Sequence, residues 1–335
     1  MARVTSRTRA VVIRPDGVRY RRETLAGEEP LEIRVNGTQL AVTMRTPGED
    51  FALVAGNLVS EGMLRRPTDL VNMRYCSGDD PNTYNVIDAN VLGVTKESIG
   101  TRRVVTTSAC GVCGTTSIEE VRRQSPYDVA DDDTRIPAEQ LLALPDRLRE
   151  AQALFDSTGG LHAAALFDAS GKLLVAHEDV GRHNAVDKVI GWAYMQGMLP
   201  LRGCTLQVSG RASFELVQKS YLAGIPIMSA VSAPSSLAVD LAEEVGITLA
   251  GFSRGDRITV YTHARRVDTD ALRTPATEPP SGATASDTET ATFTQKTADR
   301  TETAGLSPAN DAKLEAAATA TTTGTAIAFD KGVHA

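Results

Sequence analysis

Two cysteines separated by two residues, Cys110 and Cys113, lie in the most chemically loaded segment of the sequence, residues 106–117. Thiols at this spacing can share a metal ion, form a disulfide or pass a sulfur atom from one to the other. Gly111 and Gly114 favour a mobile loop over the helix start that a thioredoxin-like pair requires. The residues therefore leave three interpretations open: sulfur or redox chemistry, half of a metal site, or unreactive structural thiols.

A zinc site at this pair would need ligands from elsewhere in the chain. A zinc ribbon requires a second Cys pair, and only Cys76, Cys204 and scattered histidines could replace it. The zinc deaminase signature combines His-x-Glu with Pro-Cys-x-x-Cys. No proline precedes Cys110 and no His-x-Glu precedes the pair, so we expect no deaminase-type zinc site.

Three donor-rich segments, residues 178–184, 209–213 and 232–236, are each predicted to follow a strand and enter a helix. Helix N-termini favour anions, and the guanidinium groups of Arg182 and Arg211 suit phosphate. Each segment alone is compatible with ordinary helix caps. Because ligands bind outside the carboxyl ends of parallel strands, three such segments on one edge favour a phosphate-bearing ligand. The sequence contains neither a G-x-G-x-x-G fingerprint nor a Walker A loop.

A fourth segment, residues 252–257, lies between two predicted strands. One interpretation is an ordinary hairpin with Gly255 at a positive φ. The other is a ligand grip, in which Arg254 and Arg257 hold phosphates, Phe252 stacks on a base and Asp256 accepts from a guanine edge. The residues alone favour the hairpin.

The histidines and the remaining single residues separate into packing and functional candidates. His162 and His177 lie in or beside apolar strands and are interpreted as core histidines, whereas His183, at a helix start beside Arg182, is the functional candidate. Trp192 is predicted to pack, and Cys204 to be a small buried hydrophobe.

The elements that must position these residues belong to the α/β class, α+β overall. Asn36-Gly37 predicts a hairpin, and residues 47–62 predict a helix that Gly62 ends. After residue 136, strands and helices alternate, which predicts a mostly parallel sheet with helices on its faces. The predicted organisation is a disordered arm (1–8), a small β-rich N-terminal domain (9–103), a mobile Cys-x-x-Cys loop (104–135), an α/β domain (136–267) and a disordered tail (268–335) with 16 Ala and 16 Thr.

Charge and composition exclude several classes of protein. The net charge of −7 argues against a general nucleic-acid binder. No stretch approaches the roughly 20 apolar residues of a membrane span, and no apolar segment follows the basic N-terminus as a secretory signal would require. Four cysteines are too few and too unevenly spaced for a disulfide framework. We expect a cytoplasmic protein.

Eight segments, in order between about residues 9 and 266, resemble the FdhD family of formate dehydrogenase accessory sulfurtransferases. The segments are residues 29–33, 44–50, 108–114, 158–165, 178–188, 208–215, 232–236 and 251–257. The tail after Val267 has no counterpart in this resemblance.

The resemblance implies a sulfur carrier. A cysteine desulfurase would load a persulfide onto Cys110, with Cys113 as its partner, and the sulfur would pass to a molybdenum or tungsten bis(molybdopterin guanine dinucleotide) cofactor before that cofactor enters formate dehydrogenase. The cofactor-binding segment would be Phe252, Ser253, Arg254, Gly255, Asp256 and Arg257. The resemblance also implies a homodimer and a cytidine-deaminase-like C-terminal domain without the zinc site, so that no metal would be held by the protein itself. The alternative function is a non-catalytic chaperone that binds and delivers the cofactor with dispensable thiols.

Overall fold

The computed structural model of the protein describes residues 3–76, 84–100 and 125–272. Cys110 and Cys113 therefore lie outside the described residues, as does the predicted tail beyond residue 272. No helix in the described ranges is long and apolar enough to cross a membrane.

The N-terminal part contains a two-stranded ribbon and a four-stranded sheet. The ribbon pairs β1 (Thr5–Arg14) with β2 (Gly17–Ala26) along their whole length, so β1 begins inside the predicted arm 1–8. The sheet has the strand order β4-β3-β6-β5. Its strands are β3 (Glu29–Val35), β4 (Thr38–Arg45), β5 (Leu70–Tyr75) and β6 (Val86–Val91).

Local sequence signals explain the turns and the helix of this part. Asn36 and Gly37 have φ values of 50° and 78°, which is the geometry that a two-residue hairpin between β3 and β4 requires. Helix α1 (Asp50–Ser60) lies inside the predicted span, and Gly62 follows it with a φ of 70°. Both sequence predictions are confirmed. A short helix, α2 (Lys96–Gly100), follows β6.

The second half forms a six-stranded sheet with helices on both faces. Its order is β13-β12-β11-β10-β8-β9. The strands are β8 (His162–Phe167), β9 (Leu173–Asp179), β10 (Thr205–Val208), β11 (Ile227–Ala230), β12 (Thr248–Arg254) and β13 (Arg257–Val260), and a separate pair joins β7 (Ile136–Pro137) to β14 (Val267–Asp268). The helices are α3 (Ala138–Glu150), α4 (Ala153–Thr158), α5 (Arg182–Met195), α6 (Phe214–Leu222) and α7 (Ser236–Val245), with 3-10 turns at Pro67–Asp69, Ala264–Arg266 and Asp270–Leu272.

The prediction of a mostly parallel sheet is wrong. Among the described strands of this sheet, only β10–β11 and β11–β12 pair in parallel, whereas β8–β9, β8–β10 and β12–β13 pair antiparallel. Two tight hairpins, at residues 168–172 and 255–256, connect β8 to β9 and β12 to β13. A tight hairpin makes consecutive strands antiparallel, whereas parallel strands require a longer crossover connection. Because β9 is antiparallel to β8 and β8 to β10, strands β9, β10, β11 and β12 still point the same way.

Helix α3 covers one face of the six-stranded sheet. Its buried Leu141, Leu144 and Leu148 cluster with Ala163 and Phe167 of β8. Alternate residues of β8, such as Leu166, lie on the other face of the sheet and belong to a second, larger hydrophobic cluster. The helix runs through Pro145, which is buried, and breaks at residues 151–152.

The larger cluster joins the N-terminal sheet to the second half of the chain. Helices α1 and α5 cross so closely that a Cβ added to Gly191 would lie 1.8 Å from the carbonyl oxygen of Ala52. A Cβ on Gly56 would lie 1.8 Å from the carbonyl oxygen of Asp187. The two glycines let the backbones of α1 and α5 meet. The larger cluster contains residues of both predicted domains. The predicted domain boundaries themselves stay a prediction.

Candidate functional site

A cleft of about 210 Å³ opens where β9, β10 and β11 end. It combines residues of all three predicted donor-rich segments. Its lining residues are Arg182 from the first segment, Arg211, Ala212 and Ser213 from the second, and Ala233, Pro234 and Ser235 from the third. The sequence prediction that these segments share one sheet edge is confirmed.

Three helices begin at this cleft. Helix α5 starts at Arg182, and α6 and α7 start directly after Ser213 and Ser235. The Ser235 hydroxyl accepts a hydrogen bond from the Ala238 amide at 3.3 Å, as an N-cap does, whereas Ser213 makes no such cap bond. Free amide groups and the positive ends of three helix dipoles therefore face one small volume, which favours an anion there.

The cleft contains two arginines, Arg182 and Arg211. Neither Arg182 nor Arg211 forms an ion pair with a carboxylate in the part of the chain that the structure describes. The Nε atom of Arg182 is buried, with no hydrogen-bond partner among the same residues. Because an unpaired buried donor is costly, a ligand oxygen at this atom would satisfy it.

Main-chain hydrogen bonds fix the cleft loops relative to one another. The amide of Ser235 donates to the carbonyl of Ala212 at 3.0 Å, and Ser232 donates to Gly210 at 3.2 Å. The Ser209 hydroxyl accepts from the amide of Ala163 on β8 at 2.9 Å. The donors of the cleft are therefore preorganised, so less ordering is required on binding.

His183 is not among the residues that line the cleft and lies beside Glu215. Its Nε2 atom is 3.5 Å from Oε2 of Glu215, and the imidazole holds the pKa of that carboxyl down at about 2. Burial, and then the charge of Arg182, lowers the pKa of His162. Burial likewise lowers the pKa of His177. Both histidines are half-buried rather than part of the core clusters, and the buried Nε2 atom of His177 has no hydrogen-bond partner among the described residues.

A buried polar network behind the cleft was not anticipated from the sequence. Lys188 donates to Oδ2 of Asp179 at 2.8 Å and to the carbonyl of Thr46 at 2.9 Å. The amide of Thr46 donates to the same carboxylate at 3.1 Å, and Asn184 donates to its Oδ1 at 3.0 Å and to the carbonyl of Met44 at 2.7 Å. The network fixes the first cleft loop to the N-terminal part.

A second buried charge supports the segment that carries Thr46. Arg45 is fully buried and bonds Asp50 through Nε at 3.1 Å and through a terminal nitrogen at 2.9 Å. Tyr75 donates to Asp50 at 3.2 Å. Both networks use residues of segments that carry the family resemblance, residues 44–50 and 178–188, and these segments are neighbours in the fold. The resemblance was therefore the signal in the sequence that could have pointed to them.

The segment 252–257 forms a hairpin beside the third cleft loop. Gly255 has a φ of 60°, as predicted, and Phe252 adopts a φ of 51° although it is not a glycine. The amide of Phe252 donates to the carbonyl of Ser232 at 3.2 Å. The guanidinium of Arg257 lies 5.6 Å from the centre of the Phe252 ring. These residues border the cleft loops but are not among the cleft lining, and Ser253 is buried.

The predictions that Cys204 and Trp192 are packing residues are confirmed. Cys204 is 6% exposed, and burial raises the pKa of its thiol to about 11. Trp192 packs against the larger core. Within residues 3–76, 84–100 and 125–272 no group of three His, Cys, Asp or Glu side chains could hold a metal ion.

Comparison with known proteins gives one consistent family. The sequence profile of the FdhD/NarQ family matches residues 26–268. The chain is 56% identical to the sulfur carrier protein FdhD of Streptomyces coelicolor over 273 residues, which is 80% of this chain and 97% of that protein. It is 54% identical to the protein of the same name from Streptomyces avermitilis, over 83% of this chain and 100% of that protein.

A solved structure shows the same overall architecture. It is that of a formate dehydrogenase accessory protein from Desulfotalea psychrophila, which aligns with a TM-score of 0.63 and 26% identity over 79% of this chain and 100% of its own length.

Proposed function

The chain belongs to the FdhD/NarQ family, and from that membership we propose that it carries sulfur to the cofactor of formate dehydrogenase. The single structural observation that supports this function is the cleft, where three helix N-termini converge with two arginines that have no carboxylate partner among the described residues. A phosphate-rich cofactor fits that arrangement, and its sulfuration gives the Cys-x-x-Cys segment a substrate.

In the loading step, Cys110 accepts sulfur from a cysteine desulfurase. The Cys110 thiolate attacks the outer sulfur of the desulfurase's persulfide, the donor S–S bond breaks, and the desulfurase cysteine leaves as a thiolate. The proton on the outer sulfur stays with the new persulfide. Cys113 serves as the partner thiol in loading or relay.

In the delivery step, the Cys110 persulfide loses its proton and gives up its outer sulfur. That sulfur becomes sulfide on the molybdenum or tungsten of the bound cofactor, which is oxidised by two electrons as the S–S bond breaks. Cys110 is released as a thiolate, ready for another cycle.

We propose that the cleft holds the cofactor by its phosphates. Pockets for whole drug-sized ligands are about 300 Å³ or larger, so a cleft of about 210 Å³ suits the phosphates alone. The phosphates would bind Arg182, Arg211 and the three helix N-termini. The guanine would then extend to the neighbouring 252–257 hairpin, where Arg254 and Asp256 are exposed.

Binding of GDP, which carries the same phosphates and guanine, tests the site. Each charge-assisted hydrogen bond contributes about 1.5–3 kcal/mol, so Arg182→Ala and Arg211→Ala should each weaken GDP binding about tenfold or more in calorimetry. Arg202→Ala is the matched control, because Arg202 precedes β10 and lies at the opposite sheet edge. Equal affinity of Arg182→Ala, Arg211→Ala and the wild type for GDP would contradict the proposed site.

A cofactor chaperone would need only the cleft, so the thiols decide between the two functions. Mass spectrometry after incubation with a cysteine desulfurase and cysteine should show one added sulfur on the peptide that contains Cys110 and Cys113. Formate dehydrogenase activity should be lost when Cys110→Ala is the sole copy. Full activity of that variant would leave the chaperone as the function.

A further inference from the structure

The ribbon formed by β1 and β2 carries an exposed apolar patch. Ile13 pairs directly with Val18, and Val11 with Tyr20, so these four side chains share one face of the ribbon. They are 78%, 57%, 52% and 82% exposed in that order. Contiguous exposed apolar side chains of this kind mark interaction surfaces in folded proteins.

The ribbon is strongly basic in an acidic protein. Six arginines against two acids give residues 5–26 a net charge of +4, and because the whole chain carries −7, the remainder carries −11. Asp16 and Glu23 pair with Arg19 and Arg21. The four other arginines form no ion pair with a described carboxylate; they are Arg7, Arg9, Arg14 and Arg22.

One pair of these arginines is placed where it destabilises the free ribbon. Arg9 lies directly opposite Arg22, on the same face as the apolar patch and next to Val11 and Tyr20 in the ladder. Like charges directly opposite each other in a ladder are unfavourable. Carboxylates of a bound partner would relieve the repulsion, so this face fits an acidic surface with an apolar centre.

The base of the ribbon is attached to the sheet edge that carries the cleft. Strand β2 packs on α4, and the first amides of that helix, Leu154 and Phe155, donate to the carboxylate of Glu178 at 2.8 and 2.7 Å. Glu178 opens the first cleft segment. At about 3.4 Å per residue, the ten-residue strands reach roughly 30 Å from that base.

We propose that the β1–β2 ribbon is the docking arm for the enzyme that receives the cofactor, and that it binds an acidic, apolar-centred surface of that enzyme. This inference rests on the proposed function. The recipient is favoured over the sulfur donor because the recipient must take its cargo from the cleft, and the arm is attached to a cleft segment through Glu178.

Binding of the full-length chain to purified, cofactor-free formate dehydrogenase tests the arm. The triple variant Ile13→Thr, Val18→Thr, Tyr20→Thr removes the apolar patch while threonine keeps a strand-favouring side chain. We expect its Kd in biolayer interferometry to rise at least tenfold, and the wild-type Kd to rise with salt concentration. Val71→Thr, at a 58% exposed valine of β5, is the control and should bind as the wild type does.

A second variant separates docking from folding. Arg22→Thr removes the repulsion with Arg9, so the chain should be at least as stable to urea as the wild type while its affinity for formate dehydrogenase falls. A residue with a merely structural role would not give that combination. Unchanged GDP affinity in both variants would show that the cleft is intact.

Three outcomes would overturn the docking arm. The first is equal affinity of the triple variant and the wild type for formate dehydrogenase, or no binding by either. The second is dissociation of a dimer in sedimentation velocity at unchanged enzyme affinity, which would assign the face to a second copy. The third is that the triple variant loses binding to purified cysteine desulfurase while its affinity for formate dehydrogenase stays unchanged. The first two outcomes would leave sulfur loading on Cys110 unchanged, whereas the third would impair it. Failure of loading on the wild type would leave the docking result standing.

Discussion

Replacing Gly191 by alanine should destabilise the protein, although alanine is the better helix former. The added Cβ would lie 1.8 Å from the carbonyl oxygen of Ala52 and 2.5 Å from the amide nitrogen of Gly56. Both are backbone atoms of α1, so relief requires the helices to separate by more than about 1 Å. Overpacking costs about 3 kcal/mol or more here, against about 1 kcal/mol gained in helix propensity. The net loss is about 2 kcal/mol.

Urea unfolding followed by circular dichroism measures this loss. With a slope of about 2 kcal/mol per molar urea, the midpoint should fall by about 1 M. Gly160→Ala is the control, since the nearest atom to its added Cβ would be the Thr158 carbonyl oxygen at 3.9 Å, and its midpoint should barely change. A midpoint for Gly191→Ala at or above that of the wild type would refute the close crossing of α1 and α5.

Three further predictions concern the charges and thiols of the fold. Lys188→Met should destabilise the protein by about 3–5 kcal/mol in urea unfolding, because it leaves Asp179 charged and fully buried; the exposed Lys172→Met should change little, and equal midpoints for the two variants would contradict the network. The pKa of Glu215 is lowered to about 2 from 4.5, so its ionised form contributes stability above pH 4.5 that is lost as the pH falls towards 2; the gap in stability between wild type and Glu215→Gln should therefore narrow over that range, and a constant gap would exclude this contribution. Because burial raises the pKa of Cys204 to about 11, iodoacetamide at about pH 8 should leave it unmodified in the native protein and label it in urea; labelling in the native state would show that the thiol is accessible.

Features with local causes could be predicted from the sequence. Asn36-Gly37 and Gly255 adopt the backbone angles that their residue types predict. The three donor-rich segments could be assigned to one sheet edge because each lies between a strand and a helix, and that order is visible in the sequence. Cys204 could be placed in the interior because it opens a strand of apolar residues.

The antiparallel pairing of β8 with β10 could not be predicted, because strand direction depends on which strands pair. The alternation of strands and helices is the same whether β8 runs with β10 or against it, and only the pairing of Ala164 with Val208 and Phe167 with Thr205 decides. For the other antiparallel pairs, β8–β9 and β12–β13, the short connections at residues 168–172 and 255–256 were the available signal, because a connection that short cannot make a crossover.

The sequence by itself determined the family, the donor segments and their common edge, because these follow from residue types and from order along the chain. Only the tertiary structure decided that Thr46 meets Asp179 and Lys188, that Gly56 and Gly191 let α1 cross α5, and that the ribbon is attached through α4 to Glu178. Contacts such as that between Thr46 and Asp179 join residues 133 positions apart. Their formation depends on how whole elements pack, and no local pattern of residues specifies that packing.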